Sequence, residues 1–178
     1  VAADYSTANT GSIYENSPVS GRWLEFTVDE LVPFIDSRFR TLADRNSRAV
    51  VGDFFGGRGA LKFAMSYADV FGVAYALNPV AAGSGDIPLQ GLQIDWRKIH
   101  AARSFAELGE DGRARLFVTI SQAFLPNPQR PPFYCDFFME PAGDTFRFDA
   151  GNARRLQKVF HLDETLDESA ANLRSMRG

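Results

Sequence analysis

The chain has 178 residues, the length of about one domain. Apolar residues make up 45% and charged residues 23%, a globular balance that excludes whole-chain disorder and coiled coil. The net charge of −3 argues against a nucleic-acid binder, and no run approaches the ~18 consecutive apolar residues of a membrane-spanning helix.

Residues 1–22 are rich in Ser, Thr, Asn and Gly and read as a long loop. Their start lacks the charged and apolar regions of a secretion signal, but a trimmed leader would leave no trace, so the compartment stays open. Leu24, Val28, Leu31, Ile35 and Phe39 then form one apolar stripe of an amphipathic helix. Thr27 with Glu30 fits a capping box; Pro33, a turn later, equally fits a kinked helix from about Trp23. After a polar turn at 41–47, Arg48–Val51 reads as a strand ended by Gly52, 57–68 as a helix and 71–77 as a buried strand ended by Asn78-Pro79. Helix, strand, helix, strand with tight glycine joints points to an α/β chain with parallel strands.

The second half is less regular. Glycines and Pro88 make 80–92 a loop, and 95–107 has helical character. In 114–124 the β-branched residues favour a strand, but Leu116, Ile120 and Phe124 are spaced by fours and favour a helix, which is the expectation adopted. Four prolines exclude regular helix over 126–132, Phe133–Phe138 is a strand candidate, and 151–175 carries two helical patterns.

The segment with chemical content is Val50-Val51-Gly52-Asp53-Phe54-Phe55-Gly56-Gly57, followed by Arg58-Gly59-Ala60-Leu61 at a helix start. Strand, Gly-x-x-x-Gly and helix is the setting of a nucleophile elbow, in which flanking glycines allow a strained turn. This stretch resembles the putative-esterase (esterase D-like) family of α/β-hydrolases, with its Gly-His-Ser-Met-Gly-Gly type of elbow. Further likeness lies in Tyr14-Glu15-Asn16-Ser17, Gly21-Arg22-Trp23, Leu31–Asp36, Arg40-Thr41, Val70-Phe71-Gly72 and Tyr75–Pro79. Leu125–Pro128 and Pro131–Tyr134 look like the family's insertion. The likeness is strong over 14–80 and weak beyond about 136.

The resemblance implies a partial α/β-hydrolase fold in a single domain, 1–178, with an elbow region at 48–80, an insertion at 81–150 and C-terminal helices at 151–178. It also implies a chain incomplete at both ends, Val1–Asp4 matching the end of the family's fourth strand. The nucleophile position falls on Phe54, which has no lone pair with which to attack a carbonyl, and Asp53 stands where the family has histidine. No catalytic residue is therefore assigned. Gly52, Asp53, Phe54, Phe55, Gly56 and Gly57 are expected to form an elbow whose two phenylalanines are buried and plug the pocket. The Phe55 N–H remains as one oxyanion donor, and a small ester is the ligand the pocket would take.

His100 lies in the insertion and His161 at a helix end, and neither is expected to serve as a base. Gly56–Gly59 lack the Lys-Ser/Thr of a phosphate loop, so packing accounts for those glycines. Asp144, Asp149, Asp163, Glu164 and Asp167 lack calcium-loop spacing and read as a solvated face. Cys135, the single cysteine, leaves no intrachain disulfide and no thiolate metal site; no metal or cofactor is implied. Phe133, Tyr134, Phe137 and Phe138 fit either an acyl or aromatic pocket or plain core, and core is the expectation adopted. Sixteen phenylalanines and few strands leave apolar edges, so self-association as a homodimer or higher oligomer is expected. The function expected is that of an esterase homologue without serine-esterase activity; the alternative is a carboxylesterase using residues outside the motif.

Overall fold

The structure, a computed structural model, describes residues 3–7, 11–81 and 93–176. The loop expected at 80–92 falls almost wholly outside them. The chain divides into two compact units. One comprises Ile13–Asn16, Arg22–Ala82 and Leu162–Gly178 and is called the elbow unit. The other comprises Val1–Ser12, Ser17–Gly21 and Gly83–His161 and is called the insertion unit. It covers most of the insertion expected at 81–150 with part of the expected C-terminal helices.

The short strands β1 (Asn16–Ser17) and β2 (Gly21–Arg22) precede a helical run beginning at Trp23. This run comprises α1 (Trp23–Glu25), a π-helical segment Phe26–Leu31 and α2 (Val32–Arg38). Asn16 Oδ1 accepts from the N–H groups of Leu24 and Glu25, supplying a cap from outside the helix. The Thr27 hydroxyl donates to Trp23 O instead of capping an end, so there is no capping box at Thr27. The wider π turn also shifts the helix phase. Leu24, Val28 and Val32 face the core with Phe63 and Phe71, while Phe39 lies past the helix end and is exposed. The expected stripe thus breaks after its first two members.

In the elbow unit β3 (Ala49–Asp53), α3 (Phe55–Ser66) and β4 (Val73–Leu77) form a strand–helix–strand unit, its strands parallel and in register from Ala49↔Val73 to Asp53↔Leu77. The parallel pair and its helices are compatible with the α/β class expected. Two helices, α7 (Asp163–Glu168) and α8 (Ala170–Ser175), complete the unit. Leu162, Leu166 and Leu173 pack with Met65 and Ala81, and Asn172 donates to Met65 O.

The insertion unit contains α4 (Trp96–Ala101), a 3-10 turn at Phe105–Leu108, α5 (Gly112–Phe124), the hairpin β5 (Met139–Ala142) and β6 (Thr145–Phe148), and α6 (Ala150–Phe160). The ambiguous segment at 114–124 is a helix and lies in the unit's core, with Phe117, Val118, Ile120 and Phe124 all buried. Phe133–Phe138 is not a strand. Cys135 makes only an isolated bridge to Pro126, and Phe133, Phe137 and Phe138 are buried from irregular backbone while Tyr134 stays exposed. The turn over 127–134 is closed by Tyr134 N donating to Arg130 O and Asn127 N to Tyr134 O, which leaves no extended backbone to pair. Arg130 braces it through a two-pronged pair with Glu140 and a contact with Asp136.

Candidate functional site

The elbow is built where β3 hands the chain to α3. Phe54 occupies that turn with φ 56° and ψ −114°, a left-handed conformation that an L side chain rarely adopts. Neighbouring backbone holds it there. Phe54 N–H donates to Leu77 O at 3.0 Å, while Phe54 O accepts from Arg58 N at 3.1 Å and Val80 N at 3.2 Å. Helix and strands therefore come very close together. A Cβ on Gly52 would lie 2.1 Å from Gly56 O, and one on Gly57 would lie 2.5 Å from Leu77 O, so glycine is required at both.

Phe54 and Phe55 do not form the expected plug. Phe54 is 55% exposed, and only Phe55 is half-buried. The two rings meet edge to face with centroids 5.0 Å apart. The expected burial of Phe54 fails because the positive φ turns its side chain off the strand end instead of back into the sheet. Asp53 is exposed and accepts from Asn78 Nδ2 at 3.4 Å, a surface contact. The first α3 N–H groups have no side-chain cap from Phe54.

Behind the elbow lies an ion cluster that sequence reasoning missed. Arg58, fully buried in the first turn of α3, donates to Glu15 Oε1 at 2.9 Å and to Val80 O at 3.2 Å; Lys62 approaches Glu15 Oε2 at 3.2 Å. Burial pulls the Arg58 guanidinium below its usual range, and the Glu15 carboxylate opposes that shift. Ile13 and Tyr14 just before Glu15 both have positive φ, so the pair ties a strained loop to α3. Forty-three residues separate Glu15 from Arg58, and no local pattern signals such a pairing.

The other candidates are placed within their own units. His100 and His161 both belong to the insertion unit. His100 Nε2 is 2.7 Å from Met139 O and its ring stacks on Phe146, while His161 ends α6. Asp149 caps α6 by accepting from Asn152 N. Among the described residues no group of three or more His, Cys, Asp or Glu side chains is arranged to hold a metal. Cys135 is buried, which pushes its thiol up and away from the reactive thiolate. No described helix is long and apolar enough to cross a membrane.

A parallel strand–turn–helix with a strained residue at the turn is the setting of a nucleophile elbow. The family described as Putative esterase matches residues 3–131, and the chain belongs to that family. It is also similar to two curated mycobacterial proteins. Esterase MT1326 of Mycobacterium tuberculosis (strain CDC 1551 / Oshkosh) is 35% identical over 92 residues, 49% of this chain and 20% of that relative. Esterase Rv1288 of strain ATCC 25618 / H37Rv shows the same identity and coverage. The aligned stretch thus spans a fifth of these relatives.

Proposed function

We propose that this chain is a non-hydrolytic member of the esterase family, an elbow scaffold that acts by assembling with a second copy of itself and not by cleaving esters. One observation carries this reading. The turn that holds a nucleophile in an active elbow is present here in its strained form, but its side chain is the benzyl group of Phe54. No hydroxyl or thiol lies anywhere from 52 to 57, and His100 is engaged with Met139 O and the Phe146 ring. The test is a p-nitrophenyl ester assay paired with a fluorophosphonate probe. No burst, no turnover above buffer and no labelled residue within 52–57 are expected. Phe54→Ser is expected to stay near background as well, because a serine without its base loses several orders of magnitude in rate.

Family membership and 35% identity to two proteins named esterases favour a second reading, a carboxylesterase for small acyl esters using residues outside the motif. Turnover that survives Phe54→Ala would support it and end the first.

A further inference from the structure

We infer that Arg58, anchored on Glu15, is the positioning residue of the elbow, the side chain that keeps the Phe54 peptide in its left-handed turn. The inference rests on the reading of that turn as a retained elbow, and it stands whether or not copies of the chain assemble. Strain of this kind persists only where the surroundings hold it. The Phe54 ring supplies little of that hold, since it is exposed and its edge-to-face contact is with Phe55, the next residue. The glycines at 52 and 57 permit the close approach of strand and helix without imposing the angle at residue 54.

The hold comes from the groups around the peptide. Phe54 O accepts from two amides, Arg58 N at 3.1 Å and Val80 N at 3.2 Å. Arg58 meets Val80 as well, because its Nη1 donates to Val80 O at 3.2 Å. Phe54, Arg58 and Val80 thus close a ring of three hydrogen bonds, two from backbone amides and one from a side chain. Val80 is gripped on both sides, its N–H by the elbow and its C=O by the guanidinium. Glu15 sets where that guanidinium lies, since its Oε1 accepts from Nη2 at 2.9 Å and leaves Nη1 for Val80. The rigid fork of an arginine serves both partners at once, which a single ammonium does not. The placement also argues for a task beyond pairing. A cation near the start of a helix runs against the helix dipole, and a fully buried one carries a desolvation cost.

Hydrogen exchange of the 178-residue chain, read amide by amide by NMR, tests this without any esterase or assembly readout. Arg58→Lys keeps a cation for Glu15 but offers one point in place of the fork. In that variant the amides of Val80 and residue 58, the two donors to Phe54 O, are expected to exchange about tenfold faster or more. The Tyr67 amide, which donates to Phe63 O at the far end of α3, is expected to stay within about twofold of wild type. Unchanged exchange at Val80 and residue 58, or an equal acceleration at Tyr67, would reduce Arg58 to one half of a buried ion pair and overturn the assignment. If Arg58→Lys fails to fold, Phe54→Gly added to it decides the matter, because glycine adopts this turn without strain. Folding is then expected to return, and a chain that stays unfolded overturns the assignment.

Discussion

The elbow unit and the insertion unit use the same kinds of residue in opposite ways. In the insertion unit the aromatic residues close on one another. The Trp96 ring lies 4.9 Å from Phe117 and 5.1 Å from Phe138, both edge to face, and α5 between them is buried along most of its length. Its helices begin on aspartates: Asp95 caps α4, Asp111 caps α5 and Asp149 caps α6. In the elbow unit α3 begins on Phe54 with no side-chain cap, and Val51, Phe54, Tyr75 and Leu77 stand outward. The insertion unit buries most of its rings against one another, with Tyr134 and Phe148 left exposed, while the elbow unit keeps Val51, Phe54, Tyr75 and Leu77 exposed around a strained turn.

The widest gap between the units should appear on truncating an aromatic ring in each. Phe117→Ala removes a ring that is 2% exposed and is expected to destabilise the protein by ~3–5 kcal/mol in urea unfolding. Phe54→Ala, measured on dissociated chain, is expected to change stability by less than ~0.5 kcal/mol. Equal losses would mean that Phe54 is packed in solution and that the contrast between the units is wrong.

Glu15→Ala probes the place where the elbow unit is closed. Removing this carboxylate strands the buried Arg58 guanidinium, and breaking a buried pair from one side costs ~3–5 kcal/mol. The double variant Glu15→Ala/Arg58→Met is expected to recover much of that loss. A melting temperature that moves no further in Glu15→Ala than in an exposed carboxylate variant would show that the strained loop at Ile13–Tyr14 is held by something else.

Much of this contrast was legible in the sequence, and the part that was not has physical causes. The glycines of 52–57 marked the elbow because a close approach of strand and helix admits no Cβ, and the fours of Leu116, Ile120 and Phe124 marked α5. The direction of the Phe54 side chain was not legible, since one backbone angle sets it and composition does not. The β5–β6 hairpin was hidden by Pro141 inside a four-residue strand, with only Gly143 (φ 62°) marking its turn. The π turn at Phe26–Leu31 defeated the stripe because a phase shift is invisible to a count of fours.

The caps give a smaller test with a pH signature. Asp111→Ala is expected to cost about 1 kcal/mol, the usual loss of an N-cap. The hydrogen bond from Ala114 N, with Lys98 nearby, holds the Asp111 carboxyl below its ordinary range. A folded-state value below the unfolded one means that this stability is present above the unfolded carboxylate range and fades as pH falls through the lowered value. Wild type and Asp111→Ala should therefore converge in stability on acidification. A constant difference down to strongly acid pH would mean that the carboxylate charge plays no part in the cap.

The smallest effect expected is a gain. Phe54 is held at φ 56°, ψ −114°, where a side chain is strained by an order of ~1–3 kcal/mol and glycine is not. Phe54→Gly relieves that strain but adds ~0.5–1 kcal/mol of unfolded-chain entropy, so the net change on dissociated chain is a stabilisation on the order of 1 kcal/mol. An unfolding midpoint that falls for Phe54→Gly would show that the ring stabilises its own chain.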